Sequence, residues 1–134
     1  MTGVVDAYGG FSPFPLDAAG WTEIAAGAPL PILAESADVL VGINTFEPGE
    51  EFANHSHRVT HETFVGIKGE VELWVDRSEP ILLGAGSIRT VLAPHEHYLR
   101  NVSDESATIV YIKTPNIQDD RHPSPWSPQK SGNA

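Results

Sequence analysis

The chain has 134 residues, 40% of them hydrophobic, no cysteine and a formal net charge of −10. That is one domain's worth of chain with enough apolar residues for a core, and it excludes disulfides, zinc ribbons and thiol catalysis. The acidic excess argues against a nucleic-acid partner, and the lack of a basic-then-apolar leader or of a run near the ~18 apolar residues of a membrane span leads us to expect a cytoplasmic protein with no membrane partner.

Residues 1–20 (containing YGGFSPFPLDAAG) are too rich in Gly and Pro for a long helix and read as an N-terminal arm. Residues 1–57 hold no Lys or Arg but eight acids, whereas the rest is nearly balanced, with eight basic and ten acidic residues; solubility accounts for this asymmetry. Short strands are expected at Trp21–Ile24 and Pro31–Leu33, and a buried one over residues 39–46 (VLVGINTF). Glu47-Pro48-Gly49-Glu50 is a turn. Thr63–Ile67 and Glu70–Val75 read as a hairpin across Lys68-Gly69. In its second strand Val71, Leu73 and Val75 face the core, which puts Trp74 outside as a candidate subunit contact. Ile81–Leu83, Ile88–Leu92, Tyr98–Asn101 and Thr108–Lys113 complete about ten short strands. The expected fold class is therefore all-β, a sandwich or barrel over residues 21–114, followed by a proline-rich tail over 115–134 that contains His122.

One stretch carries chemistry. Between Gly49 and Gly69 lie His55, His57 and Glu62. Two histidines at i and i+2 share one face of a strand, so both imidazoles can reach one metal ion. Imidazole with carboxylate suits Fe, Mn, Ni, Zn or Cu. His61 competes with Glu62, since alternation lets only one of two neighbours face inward without a bulge. A further ligand should come from a neighbouring strand, and a second histidine cluster, Pro94-His95-Glu96-His97, follows about forty residues later.

Here the sequence resembles the cupins. Their first motif, G-x5-H-x-H-x3/4-E-x6-G, is matched by Gly49, His55, His57, Glu62 and Gly69. Their second, G-x5-P-x-G-x2-H-x3-N, is matched by Gly86, His97 and Asn101, with Leu92 in place of Pro and Pro94 in place of Gly. The resemblance spans residues 39–114. It implies a six- to eight-stranded jelly-roll barrel with one divalent transition metal near its axis, held by His55, His57, Glu62 and His97, and a homodimer. Iron or manganese is favoured, with zinc, nickel and copper as alternatives.

Around such a centre Phe64 and Leu99 share the inward face of Glu62 and His97 and are expected in a substrate pocket with Thr90 and Arg89; Thr45 or Phe46 and Ile88 are further lining candidates. Arg89 has an alternative reading as an outward ion-pairing residue. His95 and Tyr98 are the candidate proton-transfer groups, and Tyr111 is placed in the core or at the rim. Three functions fit: an Fe(II) or Mn oxygenase acting on a small anionic or enolisable molecule; a non-redox isomerase, cyclase or lyase; and a non-catalytic small-molecule-binding protein. The oxygenase ranks first.

Overall fold

Alternation of buried and exposed side chains makes strands, because every second residue can then cover one sheet face. In the computed structural model, which describes residues 32–128, all the elements are strands: β1 (Ile32–Glu35), β2 (Leu40–Phe46), β3 (Glu51–Ser56), β4 (His61–Lys68), β5 (Val71–Val75), β6 (Ile81–Leu83), β7 (Ile88–Val91), β8 (Glu96–Asn101), β9 (Ala107–Thr114) and β10 (His122–Pro123). The N-terminal arm and the strand expected at Trp21–Ile24 lie outside the described residues.

The strands form two five-stranded antiparallel sheets, ordered β1-β2-β9-β4-β7 and β10-β3-β8-β5-β6. From β2 to β5 each successive strand lies in the opposite sheet, which is the winding of a jelly roll. The core lies between the sheets. Phe46, Phe64 and Ile109 come from the first; Val71, Leu73, Leu83 and Leu99 come from the second. Leu73 and Leu99 face each other across β5 and β8 and are almost wholly buried, each worth about 2 kcal/mol of apolar transfer.

The hairpin expected across Lys68-Gly69 does not form. β4 pairs with β7 and β9, whereas β5 pairs with β6 and β8. Lys68-Gly69 is a corner that carries the chain between sheets. Gly69 stands at φ +70 and sits against Ala107, where a Cβ would lie 2.8 Å from the alanine Cβ. Local turn chemistry is the same for a hairpin and a corner, so only the packing of the two sheets separates them.

Trp74 has a neighbour that the strand pattern did not foresee. It lies on the outer side of its sheet, yet it is half-buried, with Trp126 edge-on to it at 5.9 Å between ring centroids. The polar segment after Thr114 thus returns to the sheet. β10 pairs with β3, and Trp126 also packs edge-on against Tyr98 at 6.0 Å. Asn101 fixes the turn after β8. Its amide donates to the carbonyls of Phe46 and Glu105, and its oxygen accepts from the Ser103 N–H.

Candidate metal centre

The four side chains come from both sheets and meet between them. His55 on β3 and His97 on β8 are register partners in the second sheet. A bulge in β3 puts three steps between Phe52 and His55 against two between Leu99 and His97. Strict alternation would turn Phe52 and His55 to opposite faces; the extra residue lets both line the interior. His57 follows the end of β3, and Glu62 reaches in from β4 in the first sheet. Their candidate ligand atoms all lie within 4.8 Å of one another. His55, His57, Glu62 and His97 are only 4%, 3%, 5% and 1% exposed.

Hydrogen bonds orient the rings. His55 Nδ1 donates to the Ala53 carbonyl at 2.8 Å, and His57 Nδ1 donates to the Asp120 carbonyl at 2.5 Å. A carbonyl only accepts, so both Nδ1 atoms carry a proton, and in the neutral ring the lone pair lies on Nε2. His57 Nε2 and His97 Nε2 each stand 3.1 Å from Glu62 Oε1. With its Nδ1 proton held by a carbonyl, the His57 Nε2 meets the carboxylate either as the second N–H of an imidazolium or, in the neutral ring, as a lone pair that a bound cation between the two would satisfy. His97 Nδ1 is buried without a partner among the described residues. Three imidazoles and one carboxylate, with outer hydrogen bonds already fixing two tautomers, fit a divalent transition metal.

The charges agree. Burial alone would raise the Glu62 carboxyl, but hydrogen bonds from His57 and His97 and the nearby His97 and Lys113 charges outweigh it, and the group titrates well below the usual carboxylate range. Burial, with His97 alongside, lowers His55 to about 4, so its ring stays neutral and able to ligate at ordinary pH. Burial, with Glu62 and Glu35 nearby, raises the Tyr111 phenol, which therefore stays protonated.

A cavity of about 250 Å³ opens on this cluster, lined by Asn44, Phe52, His55, Glu62, Phe64, His97, Leu99, Ile109, Tyr111, Lys113 and Arg121. Phe64 and Leu99 line it. Thr90 does not: it is exposed, with its hydroxyl 2.8 Å from that of Thr63 on the outer face of the first sheet. Arg89 is exposed on edge strand β7 and lines no part of the cavity. Phe46 is core, while Thr45 and Ile88 are exposed.

Both candidate proton-transfer groups are also elsewhere. His95 is exposed in the turn before β8, its Nδ1 2.5 Å from Asp76 Oδ2. Tyr98, between inward-facing His97 and Leu99, points out of the barrel, where its hydroxyl bonds Glu51 under Trp126. Alternation accounts for this placement: one position from a ligand is the wrong face. It also separates His61 from Glu62. His61 is exposed, and its Nδ1 accepts the Ala93 N–H at 3.0 Å.

Lys113 and Asp120 lay outside the sequence reading, whereas Tyr111 stands at the cavity wall, where core and rim meet. Tyr111 and Lys113 share the inward face of β9 with Ile109, and Lys113 is the register partner of Glu62; the alternation Ile109, Tyr111, Lys113 was there to be read. Asp120 carried no such signal. Its carboxylate accepts the N–H groups of Arg58, Val59 and Thr60, while its carbonyl holds His57.

Residues 42–113 match the cupin domain family. Among solved structures the chain is similar to a double-stranded β-helix protein of Klebsiella pneumoniae, at TM-score 0.66 and 24% identity over 75% of this chain and 88% of that one. It is also similar to TT1209 from Thermus thermophilus (0.60, 26%, over 66% and 82%) and to an RmlC-like cupin from Desulfovibrio desulfuricans (0.59, 25%, over 66% and 82%). Among curated proteins none matches the sequence. With two wound antiparallel sheets, an interior His-His-Glu-His cluster and a family match over residues 42–113, the chain belongs to the cupins.

Proposed function

We propose that this protein is a metal-dependent oxygenase that oxidises a small anionic molecule with dioxygen. The observation that carries the metal is the placement of the His57 and His97 Nε2 atoms against one oxygen of buried Glu62. Iron or manganese in that donor set supplies Lewis acidity and one-electron chemistry toward dioxygen. The chain's own residues supply the rest: the rings of Phe52 and Phe64, one from each sheet, exclude water from the cavity, and Lys113 and Arg121 provide positive charge on its lining.

The redox reading gains support from what the cavity contains. An isomerase or lyase needs a base near neutral pH. Apart from the four metal donors, the ionisable groups on the cavity wall are Tyr111, Lys113 and Arg121, and the Tyr111 phenol is pushed above its ordinary value. A phenol raised in this way holds its proton and does not serve as that base. His95 and Tyr98, which could have served a non-redox reaction, stand outside.

The test is oxygen uptake by iron- or manganese-loaded protein against a panel of small organic acids. Uptake with at least one acid, absent from His57→Ala and from zinc-loaded protein, is the expected result. Turnover that persists without oxygen in the zinc-loaded protein would replace the oxygenase with a non-redox enzyme.

A further inference from the structure

Lys113 and Arg121 are the cations that line the cavity. Elsewhere the described arginines include two committed to carboxylates, Arg77 with Glu96 and Arg100 with Glu72. Lys113 and Arg121 form no ion pair among the described residues, although the chain carries a net charge of −10. The neighbouring acid is not free to neutralise Arg121, because the Asp120 carboxylate already accepts three backbone N–H groups. Lys113 is half-buried, its ammonium 5.7 Å from the centre of the Tyr111 ring, and Arg121 is exposed at the mouth. Two cations without an ion pair, lining the same cavity as the donor cluster, make a place for an anion.

The arrangement has two ends. The donor cluster lies deep, between the sheets, and the cations lie toward the opening, with Phe52, Phe64, Leu99 and Ile109 along the walls. The cavity has a volume of about 250 Å³. That admits a short acid with a charged group at each end.

We propose that Lys113 and Arg121 form a subsite for the distal carboxylate of a short dicarboxylate whose other end reaches the His55, His57, Glu62 and His97 cluster. This rests on the metal reading above and names the substrate class. Specificity follows from the pair: an acid that lacks the distal charge leaves both cations unsatisfied in a partly desolvated mouth.

Malate and 2-hydroxybutyrate test the subsite, because they share the α-hydroxy acid end and differ only in a carboxylate against a methyl group. Affinities are measured by calorimetry on manganese-loaded protein whose metal content has been determined. The wild type is expected to hold malate about tenfold more tightly. In Lys113→Met/Arg121→Gln that preference falls below about threefold, with 2-hydroxybutyrate affinity and metal content unchanged. Each single variant loses about half of the preference on a logarithmic scale, which keeps the test usable if the double variant does not fold. Equal affinities in the wild type, a preference that survives both substitutions, or an equal loss of both acids would overturn the subsite. If the wild type holds no metal, the metal reading fails by itself. The same two acids, titrated into metal-free protein and followed by NMR, then decide the subsite by the same preference.

Discussion

Glu62 is the residue on which the centre turns. It is the one donor from the first sheet, it meets two imidazoles at once, and it pairs across β4 and β9 with Lys113. Glu62→Gln keeps the shape and removes the charge. We expect metal affinity to fall at least about a hundredfold, read by elemental analysis after dialysis against a competing chelator. His61→Ala, one position away on the other face, should leave metal content unchanged. Strand alternation predicts that contrast, and it decides most of the residue assignments. It put Phe64 and Leu99 on the cavity wall, and it turned Tyr98 away from it. The motif residues were legible in the sequence because a ligand set needs fixed spacing. Thr90 and Arg89 were not, because their orientation follows from where the edge strand β7 sits in the sheet.

At the scale of single elements, β2 and β9 together shape one cavity wall. Gly42 and Tyr111 are register partners, and the Tyr111 ring lies over the glycine so closely that an added Cβ would overlap it. Gly42→Ala therefore forces the ring outward into the cavity or distorts the β2–β9 ladder. The expected cost is about 1–3 kcal/mol in a urea titration, together with weaker binding of any cavity ligand. An unchanged midpoint would show that Tyr111 moves freely and does not form a fixed wall. The order of the strands along the chain was largely legible, since glycines and prolines punctuate them. The bulge in β3 was not: it inserts one residue into the pairing with β8 and leaves no mark in composition. The exchange of strands between sheets at Gly69 was hidden for a similar reason, since a corner and a hairpin ask for the same left-handed residue.

For the molecule as a whole, the segment after Thr114 ties structure to site. Trp126 packs edge-on against Trp74, the candidate subunit contact, and the N-terminal arm lies outside the described residues. Stability should report on Asp120 and the centre. Burial would raise the Asp120 carboxyl, but the N–H groups of Thr60, Val59 and Arg58 and the His122 ring outweigh it and hold it below the ordinary range. A carboxyl depressed in the folded state contributes stability that is complete above its unfolded value, near 4, and is lost as pH falls through the folded one. His55, lowered from 6.5 to about 4, contributes stability that is complete above 6.5 and is lost as pH falls to about 4. Metal-free protein should therefore weaken in two stages on acidification, one on each side of pH ~4. Asp120→Asn is expected to cost about 2 kcal/mol at neutral pH and to flatten only the lower stage, read from urea midpoints across the pH range. A variant with the wild-type acid limb would show that this carboxylate is not part of it. The same aspartate bears on how the protein is made. Asp120 follows all four donors in the chain, so the carbonyl that orients His57 is synthesised after every ligand. Chains fold from the N-terminus as they are synthesised. A chain that has exposed all four donors but not yet residue 120 lacks the grip on His57.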